Sequence, residues 1–323
     1  MTKIDMTRRA LLAGSIASLA AGAALAKAPM IGTPAPAFHR FKVGAFELTV
    51  ISDGPLVLGP PSGDVFKGLS KEAMTAALNS NFLPTQNVEM EQNILVVNTG
   101  DHIVLFDTGT GPTVKAFGPY AGRLLANLTA AGIDPKSVDV IALTHAHPDH
   151  CFGIMTDDGA RNFPNAKICM TQADFDFFTD EAKMTNDMMK MMIGGARHNL
   201  VPNRDRITFV KDGQEVVPGI MAVAAPGHTV GHTCFGIQSQ GQKLINLGDA
   251  AHHHIISLET PRLPFAFDTD GAQGVASRLK MWDMLASERI PMVAYHFPFP
   301  GLGYVGKQGD AYRYFPAQLR TVL

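Results

Sequence analysis

Apolar residues along this chain fall mostly into short runs rather than long periodic stretches. Phe46-Glu47-Leu48-Thr49-Val50-Ile51 alternates and is partly β-branched, the pattern of a strand. Asp53-Gly54 comes next as a turn signal, and Leu56-Val57-Leu58 reads as the return strand. Asn93 to Asn98 and His102 to Asp107 flank Thr99-Gly100-Asp101, which predicts a hairpin of two largely buried strands. Further apolar runs at 138–143, 165–170, 221–225, 243–247 and 291–295 read as buried strands. Helices are expected over 70–79, over 121–131 with Gly132 as the stop, over 172–179, and over 272–287 around the single Trp282. Residues 27–40, rich in Pro and Ala, read as an arm, and 59–68 as a Pro/Gly loop.

Several of these strands end in residues that carry chemistry. Val138 to Leu143 leads into Thr144-His145-Ala146-His147-Pro148-Asp149-His150, three imidazoles and a carboxylate within seven residues. Met221 to Ala225 leads to His228, Lys243 to Leu247 leads to Asp249, and Pro291 to Tyr295 leads to His296. Imidazole and carboxylate are the ligands that zinc and related divalent ions take, and zinc is usually four-coordinate. Four such groups on one loop exceed the needs of one ion with an open position, so two adjacent metals are inferred. Pro148 biases His147 towards extended backbone, and the motif is expected not to run on as helix. Strands in two groups with helices between them predict an α/β fold, an αββα sandwich with the site along the edge where the loops meet. No linker divides residues 27–323, so they are expected to form one domain.

Composition narrows the function. The chain is 46% hydrophobic and 17% charged, with a formal net charge of -2, and has no long basic run. A nucleic-acid partner is therefore not expected. Residues 1–26 stand apart: Arg8-Arg9 precedes an Ala-rich apolar run that ends in Ala24-Leu25-Ala26, like a twin-arginine export signal with a small-x-small cleavage site. Export to the periplasm or beyond is expected, with no membrane attachment once the signal is removed. Cys151, Cys169 and Cys234 are an odd number for a disulfide framework and read as small buried residues. Met184, Met188, Met189, Met191 and Met192 cluster, four of them on one helical face. Core packing is the favoured reading and a flexible pocket wall the alternative, with Gly194-Gly195 as a hinge after it.

His145-x-His147-x-Asp149-His150 resembles the signature of the metallo-β-lactamase superfamily. The resemblance implies a sandwich of the metallo-β-lactamase type and a hydrolase with two divalent ions, zinc first, with manganese, cobalt or iron as alternatives. It implies that His145, His147 and His228 hold one ion, that Asp149, His150 and His296 hold the other, and that Asp249 bridges them. It also implies a bridging hydroxide as nucleophile, held by Asp249, with Asp149 receiving a proton. Asp107-Thr108-Gly109 matches an Asp-Thr-Gly of the family, and Asp107 is read as orienting a loop or a ligand histidine. His232 is read as packing beside the site. At most one of His252, His253 and His254 is expected near substrate.

An aspartate at 249 departs from the cysteine of common zinc β-lactamases and points to thioesterases, lactonases and phosphotriesterases. His296-Phe297-Pro298-Phe299-Pro300-Gly301-Leu302-Gly303 resembles the end of the methyl parathion hydrolase group, which overlaps with lactonases. By that likeness Phe117, Phe178 and Phe267 form a substrate pocket. A neutral hydrophobic lactone, aryl ester or organophosphate triester is the expected small-molecule substrate, and a homodimer is compatible with the group. A mononuclear iron persulfide dioxygenase or a glyoxalase II-type thioesterase is the alternative. One departure stands out: the family motif continues His-x-Gly-Gly, where this chain has His150-Cys151-Phe152-Gly153.

Overall fold

The computed structural model describes residues 30–32, 34–111 and 117–323, so the expected export signal lies outside the described residues. Pro36–Leu323 forms a compact unit. Its strands are β1 (Phe38–Val43), β2 (Phe46–Ser52), β3 (Leu56–Val57), β4 (Glu89–Met90), β5 (Asn93–Asn98), β6 (Ile103–Phe106), β7 (Val140–Ala142) and β8 (Lys167–Met170). They continue with β9 (Ile207–Phe209), β10 (Glu215–Val217), β11 (Ile220–Ala224), β12 (Thr233–Ser239), β13 (Gln242–Asn246), β14 (Met292–Val293), β15 (Leu302–Gln308) and β16 (Ala311–Pro316). One seven-stranded sheet runs β1-β2-β5-β6-β7-β8-β9, a second runs β10 through β16 in order, and β3 pairs with β4.

Period-two alternation gives the inner strands of the first sheet two buried faces. Leu48, Val50, Leu95, Val97, Val104 and Phe106 turn inward and meet Ile220, Phe235, Ile237, Leu244 and Val293 of the second sheet. Phe106 and Phe235 touch across this seam with ring centroids 5.2 Å apart. Ile94, Val96, Leu105, Ile141 and Ile168 turn the other way, onto Leu124, Leu128, Phe178, Ile193 and Leu200 of an outer helical layer. Helix Gly271–Glu288 covers the far face of the second sheet through Met281, Trp282 and Leu285. The four layers are the expected αββα sandwich.

Three local expectations are corrected. Leu56–Val57 does not return along β2 but pairs with β4, Leu56 opposite Met90. The reason is Asp53: its buried carboxylate accepts N–H groups from Thr110 at 3.0 Å, Gly122 at 3.3 Å and Leu124 at 2.6 Å, so it ties a loop down instead of closing a hairpin. The arm read over 27–40 ends in β1, which pairs with β2 from Phe38 opposite Ile51 to Val43 opposite Phe46. Gly194 and Gly195 do not interrupt helix Asp187–Leu200, which runs through both.

Candidate metal centre

Four strand ends supply the site. β7 leads to the His145–His150 segment, β11 to His228, β13 to Asp249 and β14 to His296. Parallel pairing of β7 with β6 and of β14 with β13 brings the ends of those strands to one rim. His147 is extended, as Pro148 requires, at φ -70° and ψ 159°. Yet Pro148–Cys151 is a short helix, against the expectation of a loop. Proline at the first helical position loses no hydrogen bond and has its φ already set, so it starts this turn. The turn projects Asp149 and His150 to the same rim as the extended histidines.

His145, His147 and His228 form one cluster able to hold a cation, and Asp149, His150, Asp249 and His296 form a second. Asp249 reaches both: Oδ2 is 3.3 Å from His228 Nε2 and 3.1 Å from His296 Nε2, and Oδ1 is 3.2 Å from His150 Nε2. Asp149 Oδ2 lies 3.4 Å from His150 Nε2 and 3.3 Å from His296 Nε2. Nε2 of His145, His150 and His228, with Asp249 Oδ1, are buried without a hydrogen-bond partner. Orphaned buried polar atoms are costly, and convergent imidazole nitrogens beside carboxylates are what a divalent cation would satisfy. The donor set fits two such ions.

The opposite edges of the rings are tied down. His150 Nδ1 donates to Asp107 Oδ2 at 2.9 Å, and Asp107 also accepts from Thr144 N and Oγ1 at 2.8 and 2.9 Å. Asp107 thus orients a ligand position and the loop before it. His228 Nδ1 donates to Asp268 Oδ1 at 3.0 Å, and His296 Nδ1 to the Glu91 carbonyl at 2.8 Å. Tyr295 stacks on His150 at 4.0 Å and donates its hydroxyl to the Asp149 carbonyl. Burial opposes charge on all these rings. For His296, the Asp249 and Asp149 carboxylates overcome it and push the pKa up to about 9. For His145, burial and the neighbouring imidazoles hold the ring neutral.

Three positions stand out beyond the expected ligands. Asp174 accepts from Ala146 N at 3.0 Å, Thr229 Oγ1 at 3.0 Å and Gly231 N at 2.6 Å, and so pins two ligand loops together. Only its place at the start of the 172–179 helix was visible in the sequence. His232 is a support, accepting the Asp249 N–H at Nε2 at 2.9 Å and facing the Ala225 carbonyl with Nδ1. Of the three consecutive histidines, His252 enters the centre: its Nε2 is 3.3 Å from Asp249 Oδ2, and its ring stacks on Phe265 at 3.6 Å. It forms a third cluster with His228 and Asp249. Its signal was its spacing, three residues past Asp249 on the same turn. His253 instead turns toward the chain ahead of helix Ile256–Glu259, its Nδ1 accepting from Ile255 N and Ile256 N. Cys151 and Cys234 are buried and face the Ala146 and Leu247 carbonyls, outside every cation cluster among the described residues.

A cavity of about 250 Å³ opens over the ligands. Phe117 and Phe267 line it, with Leu56, Met90 and Phe265. Phe178 does not. It is buried behind His147, edge-on at 5.3 Å, because its helix turns it into the core against the outer layer. The methionines divide: Met188, Met191 and Met192 line the cavity, while Met184 and Met189 pack on the core. Phe152 packs against the core cluster instead of lining the cavity.

Comparison with known proteins agrees with this geometry. The family model of the metallo-beta-lactamase superfamily matches residues 88–292. An N-acyl homoserine lactonase of Bacillus sp is 25% identical over 222 residues, 64% of this chain and 81% of the relative. Among solved structures, AidC, a dizinc quorum-quenching lactonase in complex with a product, superposes with TM-score 0.83 at 27% identity, over 88% of this chain and 98% of that one. The hydrolase AbOPH of the beta lactamase superfamily gives 0.81 at 26% identity, over 89% and 100%. With the family model spanning residues 88–292, from β4 to the start of β14, and the sandwich matching at this level, the chain belongs to the metallo-beta-lactamase superfamily and is a metal-dependent hydrolase.

Proposed function

We propose that the protein is a dinuclear lactonase acting on neutral, hydrophobic lactones, with aryl esters and phosphotriesters as secondary substrates. The observation that carries this reading is the cavity. Two ligand clusters meet at Asp249 beneath an apolar wall, and no lysine or arginine among the described residues lines it. Among the described residues there is no basic clamp for an anionic phosphate monoester or nucleic acid, whereas a neutral ester with an apolar body matches the wall. The lactonase relatives in sequence and structure support the same substrate class.

Two divalent ions, zinc first, would supply a water acidic enough to attack at neutral pH and a Lewis acid for the substrate oxygen. The chain's own residues do the rest. Asp249 joins the two halves of the site and is positioned to hold the attacking water. Asp149 and Asp249 both line the cavity, and in this reading Asp149 takes the proton as the ester opens. Apolar walls exclude bulk water and strengthen both interactions. Export through the paired arginines near the N-terminus is part of the proposal; N-terminal sequencing of the mature protein beginning at Lys27 would support it, and an intact Met1 would reject it.

The test is metal content per chain on purified protein, paired with hydrolysis of an aryl lactone and an aryl phosphotriester. Two metals per chain with faster lactone turnover is the expected result. A single iron with oxygen consumption and no hydrolysis would replace this reading with a persulfide dioxygenase.

A further inference from the structure

Helix Asp187–Leu200 carries two adjacent glycines in its interior. Glycine is a poor helix former, so a mid-helix glycine calls for a packing reason. Gly194 has no such reason, since a Cβ there would meet nothing within 4 Å. Gly195 has a specific one. A Cβ added to it would overlap the Phe152 ring at Cζ, Cε1 and Cε2.

Phe152 is the residue that departs from the family's His-x-Gly-Gly. It caps the turn that carries Asp149 and His150, donating its N–H to the Pro148 carbonyl at 3.2 Å. The chain beside it is locked. A Cβ at Gly153 would overlap the Thr108 carbonyl, and Thr108 N donates to the His150 carbonyl at 2.7 Å. The Phe152 ring is therefore a knob mounted on the metal turn, and the bare backbone at Gly195 is its hole. Three and four residues earlier on the same helix stand Met192 and Met191, on the same face one turn away. Both line the cavity above the metal ligands, as does Met188. Neither Phe152 nor Gly195 lines it, so the pair touches substrate through nothing but the position of the helix.

We infer that Phe152 and Gly195 form a seat that sets the height of the methionine wall above the metal centre, and with it the length of apolar arm a lactone can carry into the site. The inference rests on the lactonase reading and names a specificity device within it. Thioether side chains adapt to the shape of an arm. Their distance from the metal ligands is set by where the helix rests. Packed interiors pass a volume change of one methyl group into displacement rather than absorb it. Phe152 and Gly195 are thus positioning residues.

The test compares wild type with Gly195→Ala, Phe152→Ala and the double variant, all metal-loaded, on N-acyl homoserine lactones with butanoyl, hexanoyl and decanoyl arms. Metal content and kcat on the butanoyl lactone are the controls. Gly195→Ala is expected to raise KM for the decanoyl lactone by about tenfold and for the butanoyl lactone by less than about twofold, the burial of each methylene being worth about fourfold. The double variant is expected to recover most of that loss, because removing the ring leaves room for the new Cβ. An equal KM change across the series, or a double variant no better than Gly195→Ala, overturns the seat. Should Gly195→Ala not fold, Phe152→Leu is expected to keep the wild-type length profile and Phe152→Ala to lose it; identical profiles overturn the seat. A wild type inactive on all three lactones overturns the lactonase reading and the seat with it, whereas an active wild type whose profile survives the substitutions overturns the seat alone.

Discussion

The metal end of the site and its wall are built on different physics. At the metal end, His150, His228 and His296 each have Nδ1 held at 2.8 to 3.0 Å by an oxygen, and Asp174 ties two ligand loops to each other. Hydrogen bonds are directional, so each ring has one orientation. The wall, from Leu56 and Met90 to Met191 and Phe267, is held by dispersion and burial, which are not directional. Met188 and Met191 are exposed enough to change rotamer. Chemistry is thus committed to one geometry, while substrate fit is left to adaptable contacts. Single changes at the metal end ought to abolish turnover, and changes at the wall ought to redistribute it.

The largest effect tests the metal end. Asp249→Ala is expected to lose bound metal and to cut kcat/KM by roughly a thousandfold or more, about 4 kcal/mol of transition-state stabilisation. Metal analysis beside kinetics checks it, and full activity in a metal-stripped sample would refute the contrast outright. Asp107→Asn retains the shape but weakens the acceptor for His150. A loss of roughly 10- to 100-fold in metal affinity is expected, read by titration with a competing chelator. At the wall, Met191→Gln is expected to raise KM for a long-arm lactone by roughly tenfold, the lower end of pocket discrimination, with kcat and metal content kept. A drop in kcat alone would show that the wall also shapes the chemistry.

A subtler test uses Asp53, whose carboxylate ties down the loops at Thr110, Gly122 and Leu124. Burial, opposed by hydrogen bonds from Thr110, Leu124 and Gly122, lifts its pKa to about 6. A folded-state pKa above the unfolded one favours folding in the protonated form, so this stability is present at low pH and lost as pH rises through about 6. Between pH 5 and 7.5, wild type is expected to lose about 1 kcal/mol relative to Asp53→Asn, measured by urea unfolding. An unchanged difference would mean that the carboxylate is ionised throughout. The smallest effect separates the two adjacent glycines of the wall helix. Gly194→Ala is expected to add about 0.5–1 kcal/mol of stability without altering the lactone-length profile, seen in the thermal midpoint and the KM series.

Much of the sandwich was legible, because a strand buried on both faces or alternating between them writes its environment into a few residues. The residues of the candidate cation clusters were legible for a related reason: they follow apolar runs, where an unpaired imidazole or carboxylate would be costly. Other features were not. Asp53-Gly54 looks like a hairpin turn until Thr110 and Leu124, far along the chain, are seen to donate to its carboxylate. Phe178 and Phe267 are both aromatic near the motifs, and nothing local tells that one is core behind His147 and the other cavity wall.

Periodicity and ligand type are local properties, so the layers, the donor chemistry and the strand ends that carry it could be read from the chain alone. Folding was needed to settle which methionines face the cavity and that Phe152 rests on Gly195. These depend on contacts between residues distant along the chain, where direction is set by packing, and no local pattern encodes direction.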